Sequence, residues 1–268
     1  MDTVHTSLDA GVAQIRFNRP DKANALNATM WRELREAMHW LDTTPEARVG
    51  VLSAAGKVFC AGIDLEMLQS LQTAAADPCQ GREREKLRRS ILDIQDTVTA
   101  IERCRKPVLA AVHGACVGGG IDIIAACDMR YCSEQAWFSV KEIDVGLVAD
   151  VGTLQRLPRL VGDGMARELA YTGRRFSAAE AERMQLVNAV HSTPEALFDA
   201  VQQLAQQIAS KSPLCVRGTK EMIGYTQNHS VADGLNYVAT WNAAMLFSDD
   251  LQEALQAAKD RRPGRYRD

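Results

Sequence analysis

Val108-Leu109-Ala110-Ala111-Val112-His113-Gly114-Ala115-Cys116-Val117-Gly118-Gly119-Gly120-Ile121-Asp122 is the stretch whose reading decides the fold. After Pro107 the first five residues form an unbroken apolar run, the pattern of a strand buried on both faces of a helix-covered parallel sheet. The run passes into four glycines, and the segment Gly114 to Asp122 is expected to open a helix ending near Cys127. Glycines at a strand-to-helix junction allow close approach of a ligand to the backbone. The unpaired N–H groups of the helix then point outward, where they can hold developing negative charge. The plainer reading is that these glycines only permit tight packing of strand on helix.

Upstream, Val12-Ala13-Gln14-Ile15-Arg16-Phe17 alternates with period two and stops at the turn Asn18-Arg19-Pro20-Asp21. Asn27 is a good N-cap, and Met30, Leu34, Met38 and Leu41 recur at helical spacing as far as Thr43-Thr44-Pro45. Val49 to Leu52 reads as a short buried strand. Gly56 to Gly62 reads as a loop of small residues, and Ala74 to Arg84 as a mobile surface loop. A long helix is predicted through Leu87, Ile91, Ile94, Val98 and Ile101, one apolar stripe. After Pro158 helices dominate: Ser177 to Glu180 has capping-box spacing, Thr193-Pro194 reads as a cap and first helical position, and Ser230 to Asp260 supports one or two more helices. Strands alternating with helices, then helices alone, give an α/β class with a C-terminal helical region.

Composition narrows the function. The chain has 268 residues, 46% hydrophobic and 24% charged, which excludes disorder, collagen and coiled coil. Thirty-one basic against 34 acidic residues leave a net charge of −3, so no basic excess points to nucleic acid. Met1 to His5 has neither a basic nor an apolar secretory region, and the expectation is an intracellular, cytoplasmic protein. Pro107 to Ile121 is too short and too glycine-rich for a membrane span. Seven scattered cysteines form no CxxC pair and no metal-ligand spacing with the five histidines, so reduced thiols and no metal are expected.

Three ligands that use glycine-rich junctions fail on spacing. Glycines at 114, 118, 119 and 120 do not make GxGxxG, no Gly-Lys-Ser/Thr is present, and GxSxG is missing. A carbonyl that becomes an enolate remains, and it needs a second N–H donor. Phe59-Cys60-Ala61-Gly62-Ile63-Asp64-Leu65 can supply one from exposed backbone at Gly62-Ile63; its plainer reading is a turn in which Asp64 caps a helix. Val140 to Gly152 sets acids at 142, 144 and 150 among apolar residues and glycines. Such acids are costly unless paired or used, and Asp144 alone reads as a solvated surface acid. His113 and the cysteines read as core residues, and Asp128 with Arg130 as a structural pair.

Taken together, Asn18-Arg19-Pro20 through Asn24-Ala25-Leu26, Phe59 to Leu65, Gly114 to Asp122, and Gly152-Thr153-Leu154-Gln155-Arg156-Leu157-Pro158 resemble the crotonase, or enoyl-CoA hydratase/isomerase, superfamily over most of the chain. Gly120-Ile121-Asp122, Val140-Lys141-Glu142 and Ala149-Asp150-Val151-Gly152 are most similar to its dienoyl-CoA isomerase branch. The resemblance implies a crotonase-like spiral of ββα turns over residues 1–198, a C-terminal helical oligomerisation region over 199–268, and a homotrimer or homohexamer. It assigns an oxyanion hole to the amides of Ile63 and Gly119. It places an acyl-CoA substrate along Lys22, Ala23, Ala61, Gly62, Ile63, Asp64, Leu65 and Gly119, with CoA as part of the substrate and no separate cofactor. Neither nucleic acid nor membrane is an implied partner.

The same resemblance makes Asp122, Glu142 and Asp150 the catalytic acids. A hydratase carries Glu where this chain has Asp122, one methylene or about 1.5 Å shorter, and glycine where it has Asp150. Moving a 3,5-diene to a 2,4-diene takes a proton from C2 and gives one to C6, ends that one carboxylate does not reach together. The implied roles are Glu142 as base at C2 and Asp150 as acid at C6, with Asp122 tuning their charge or geometry. The rival readings are a hydratase or Δ3,Δ2-enoyl-CoA isomerase of the same fold, and a non-catalytic crotonase-like RNA-binding or scaffold protein.

Overall fold

Every residue of β4 (Val108–Val112) is buried, as an unbroken apolar run requires. The computed structural model describes residues 1–268, except the side chains of Leu71 and Gln72. β4 lies inside a six-stranded sheet ordered β1 (Val4–Asp9), β2 (Val12–Phe17), β3 (Val49–Ala54), β4, β6 (Met129–Ser133) and β9 (Ala189–His191). Only β1–β2 is antiparallel; the remaining neighbours run parallel. Alternate residues go to opposite faces. Val108, Ala110 and Val112 enter the main core under the helices α1 (Ala28–Thr43), α3 (Gln80–Arg103) and α4 (Gly119–Ala126), whereas Leu109 and Ala111 meet Leu197, Val201 and Ala205 of α8 (Pro194–Ala209).

A second sheet of β5 (Ala115–Val117), β7 (Trp137–Ser139) and β8 (Phe176–Ser177) stands beside the first. Isolated parallel bridges Leu26↔Ile63 and Cys60↔Cys116 bring earlier turns of the chain alongside it. Successive turns thus place a strand in the first sheet, a strand or a bridged segment beside the second, and return through a helix, which is the expected spiral. The expected boundary at residue 198 falls inside α8, which packs on the sheet. The helices beyond it are α9 (Pro213–Thr226), α10 (Val231–Met245) and α11 (Asp249–Asp260).

Two local expectations are corrected. The predicted loop over 74–84 is mostly helical: α2 (Leu65–Ala75) and α3 leave only 76–79 between them, because Asp77 gathers the Cys79 amide, Arg82 and Lys86. Asp128 pairs with Lys220 at 2.8 Å rather than with Arg130, whose buried guanidinium donates instead to the carbonyls of Leu186 and Cys127. β1 gave no alternation to read, since as an edge strand it buries only Val4.

What anchors β1 is Glu33 of α1, 4% exposed, whose carboxylate accepts from the amides of Asp2, Thr3 and Val4 and from the Thr3 hydroxyl at 2.7–3.0 Å. Burial alone would raise its pKa. The hydrogen bonds overcome that and lower it to about 2. The stability it contributes is present above the ordinary glutamate pKa and is lost as pH falls through about 2. Glu33→Ala is expected to cost about 2–4 kcal/mol at neutral pH, measured by denaturant unfolding. The deficit should shrink toward pH 2, and a deficit that stays constant with pH would refute the ionised-anchor account.

Candidate active site

Two segments from different turns of the spiral meet back to back at glycines. Gly62 and Gly118 both have positive φ, +96° and +51°. A Cβ on Gly62 would lie 3.2 Å from the Val117 carbonyl, and one on Gly118 would lie 3.1 Å from Glu142 Oε1. Only glycine lets the backbones and the carboxylate approach this closely. The bridges fix the register: Cys60 N donates to Ala115 O and Val117 N to Cys60 O, both at 3.0 Å, while Leu26 N donates to Gly62 O and Asp64 N to Leu26 O.

This pattern pairs the amides of Cys60, Ala61, Asp64, Val117 and Gly118 around the junction. Among the described residues, neither Ile63 N–H nor Gly119 N–H has an acceptor. Gly119 is the first residue of α4, so its amide also carries the positive end of that helix. Paired free amides of this kind can hold an oxygen on which negative charge develops, each worth about 3 kcal/mol in the transition state. Asp64 both caps α2, through the Glu66 amide at 3.1 Å, and pairs with Arg19 at 3.1 Å. Sequence reading assigned no role to Arg19; its guanidinium ties the turn before Lys22 to the Ile63 segment.

The remaining predicted substrate-binding positions lie together at the cleft's edge. Ala23, in the left-handed region at φ +50°, accepts from the Ala61 amide at 3.1 Å, which joins the turn holding Lys22 to Ala61-Gly62. Lys22, Ala61 and Leu65 are exposed, while Gly62 is buried.

The three acids occupy three environments. Asp122, 1% exposed on α4, directs Oδ1 at the Thr153 amide, 2.6 Å away. It thereby supplies from another helix the cap that Gly152 cannot give to α5 (Thr153–Val161). Burial raises its pKa to about 6 against the pull of Thr153, with a further push from the charge of Asp150. Glu142 opens a short 3-10 turn (Glu142–Val145), and its Oε2 is buried with no hydrogen-bond partner among the described residues. Burial first, and then the charges of Asp122 and Asp150, raise its pKa to about 7. Asp150 is exposed in the open cleft, and desolvation raises its pKa more modestly. Asp144 pairs with Lys141 on the surface, and His113 is fixed to the Gly56 carbonyl at 2.9 Å, so neither joins the site.

A two-sheet spiral with paired free amides at a helix N-terminus and buried acids beside them defines the crotonase class of enzymes. The chain belongs to the enoyl-CoA hydratase/isomerase family, whose model matches residues 7–268. It is 49% identical over 99% of its length, and 96% of the relative's, to the peroxisomal Delta(3,5)-Delta(2,4)-dienoyl-CoA isomerase of Arabidopsis thaliana. To the mitochondrial enzyme of that name from Homo sapiens it is 47% identical, over 95% of this chain and 78% of the relative. The crystal structure of enoyl-CoA hydratase from Bacillus anthracis superposes with a TM-score of 0.89 at 32% identity, covering 99% of both chains. The expected cytoplasmic location is overturned by these comparisons, since the relatives are named peroxisomal and mitochondrial.

Proposed function

We propose that the chain isomerises a 3,5-dienoyl-CoA to the 2,4-dienoyl-CoA. The observation that carries this reading is the buried, unpartnered Glu142 Oε2 beside the free amides of Ile63 and Gly119, with a further, exposed acid, Asp150, close enough for its charge to act on Glu142. The names of the relatives support the same substrate class. The thioester oxygen sits between the two amides. Glu142 takes the C2 proton, the electron pair delocalises through the diene and thioester as a dienolate, and Asp150 gives its proton to C6. One proton leaves the carbon chain and one returns, so no co-reactant is consumed.

Burial raises Glu142, to about 7, and also Asp150, and their charges oppose each other, so the pair favours holding one proton between them. A turnover ends with that proton on Glu142. To begin the next, Glu142 must be ionised and Asp150 protonated, and an acyl tail laid over exposed Asp150 removes its water and raises its pKa in that direction.

One proton on the pair is therefore the productive state, and it is lost as pH rises. The pKa values of interacting groups belong to the pair. We expect kcat/KM for a 3,5-dienoyl-CoA to fall as pH rises through about 7, and to fall again at low pH when both acids are protonated. A profile flat from pH 6 to 9 would refute the shared-proton account. A trimer, or a hexamer of paired trimers, forms part of the same proposal. It is supported by α10, which buries no residue within one chain, and by the exposed apolar side chains of Val231, Leu235 and Phe247.

A further inference from the structure

Asp150 lies in a stretch, residues 146–152, that belongs to no helix or strand. Leu147 and Val148 are exposed, whereas Ala149 is buried and Val151 packs against the main core, so packing holds the chain on either side of Asp150. Hydrogen bonds to the main chain fix it further. At the start of the stretch the Leu147 amide donates to Glu142 O, and past its end the Thr153 amide donates to Asp122. Between them, the Gly152 carbonyl accepts from the amides of Gln155 and Arg156, and the Asp150 carbonyl itself accepts from the side-chain amide of Gln95 at 2.6 Å.

Gln95 stands on a firmly held part of α3. Val98 and Ile101 of the same helix are fully buried in the main core, and the Thr97 hydroxyl donates to the Trp31 carbonyl of α1. One turn of helix away from Gln95, Val98 approaches Gly152, the residue before α5. Further along α3, Glu102 holds Arg156 of α5 at 2.7 Å. The side-chain amide is also chemically suited to the position, being a donor without charge. The charged groups around the stretch are Asp122 on α4, Glu142 on the 3-10 turn, Glu102 on α3, and Arg156 and Arg159 on α5. An ammonium at position 95 would add a cation beside an acid that must hold its proton.

We propose that Gln95 is a positioning residue: through its bond to the Asp150 carbonyl it sets the reach of the Asp150 carboxyl toward C6, without touching substrate itself. The proposal rests on the dienoyl-CoA reading above.

The test uses the full-length protein, with Gln95→Leu and Gln95→Lys assayed on a 3,5-dienoyl-CoA. Gln95→Leu is expected to lower kcat about 10- to 100-fold, the scale for a catalytic group displaced by about 1 Å. KM should stay within about threefold and the melting temperature within about 2 °C, since one partly exposed hydrogen bond is lost. Gln95→Lys restores a donor and should recover most of the lost kcat at low pH. Its cation lowers the Asp150 pKa, so its alkaline limb should move to lower pH than in wild type. Unchanged kcat in Gln95→Leu would overturn the proposal. So would kcat, KM and melting temperature failing together, or a lysine variant with neither recovery nor a displaced limb. Wild-type protein that does not isomerise the diene would instead reject the dienoyl-CoA reading, a result distinct from all of these.

Discussion

Glu142→Gln is expected to lower kcat for a 3,5-dienoyl-CoA by about 10³-fold or more, at the upper part of what a general base contributes. Glutamine has nearly the shape of glutamate and no basic oxygen, so the C2 proton has nowhere to go. The amides of Ile63 and Gly119 remain, and the affinity for the CoA ester should hold within a few-fold. The folded protein should lose no stability, because the amide has nearly the shape of the acid and no charge to repel Asp122 and Asp150. Turnover, CoA-ester binding by calorimetry and melting temperature together test this. Full turnover by the variant would remove Glu142 from the mechanism, and loss of binding along with turnover would make it a structural residue.

Asp150→Asn is expected to lower isomerisation about 10²- to 10⁴-fold for the complementary reason: asparagine carries no proton that it can give to C6. Removal of the proton at C2 needs Glu142 and the two amides and should survive. In D2O, the diene recovered from the variant should carry deuterium at C2 while 2,4-diene forms slowly. Wild-type product should carry deuterium at C6. A variant that isomerises at the wild-type rate would show that the C6 proton comes from another group. The same assay addresses Asp122, whose Oδ1 is already committed to the Thr153 amide. An acid held this way is poorly placed to orient a water, and wild-type protein should hydrate a simple 2-enoyl-CoA more slowly than it isomerises the diene. Faster hydration would defeat the argument from the shortened side chain.

The fold was legible where burial leaves a period in the sequence. Val108 to Val112 announced a strand covered on both faces, the stripe from Leu87 to Ile101 announced a long helix, and Asn27, Ser177 and Thr193 announced three helix starts that all cap as read. It was illegible where partners are remote or exposure erases the pattern. β1 is an edge strand held by Glu33 some thirty residues away, and Asp128 finds Lys220 ninety-two residues on. The site follows the same rule. The glycines at 62 and 118 could be read as places where backbone must come close, because they lack a Cβ; what they come close to could not.

By itself the sequence determined which groups are available: an α/β frame, two glycine-bearing junctions able to expose amides, and acids at 122, 142 and 150 set among apolar neighbours. These follow from local periodicity, turn chemistry and the cost of burying charge, all of which act along the chain. Only the tertiary structure decided that Ile63 and Gly119 are left without acceptors, that Asp122 is spent on capping α5, that burial beside Asp122 and Asp150 raises the pKa of Glu142, and that Gln95 grips Asp150 across 55 residues. Those outcomes depend on distances between segments far apart in sequence. Desolvation and hydrogen bonding are set by what surrounds a group in space, and that is fixed only when the spiral closes.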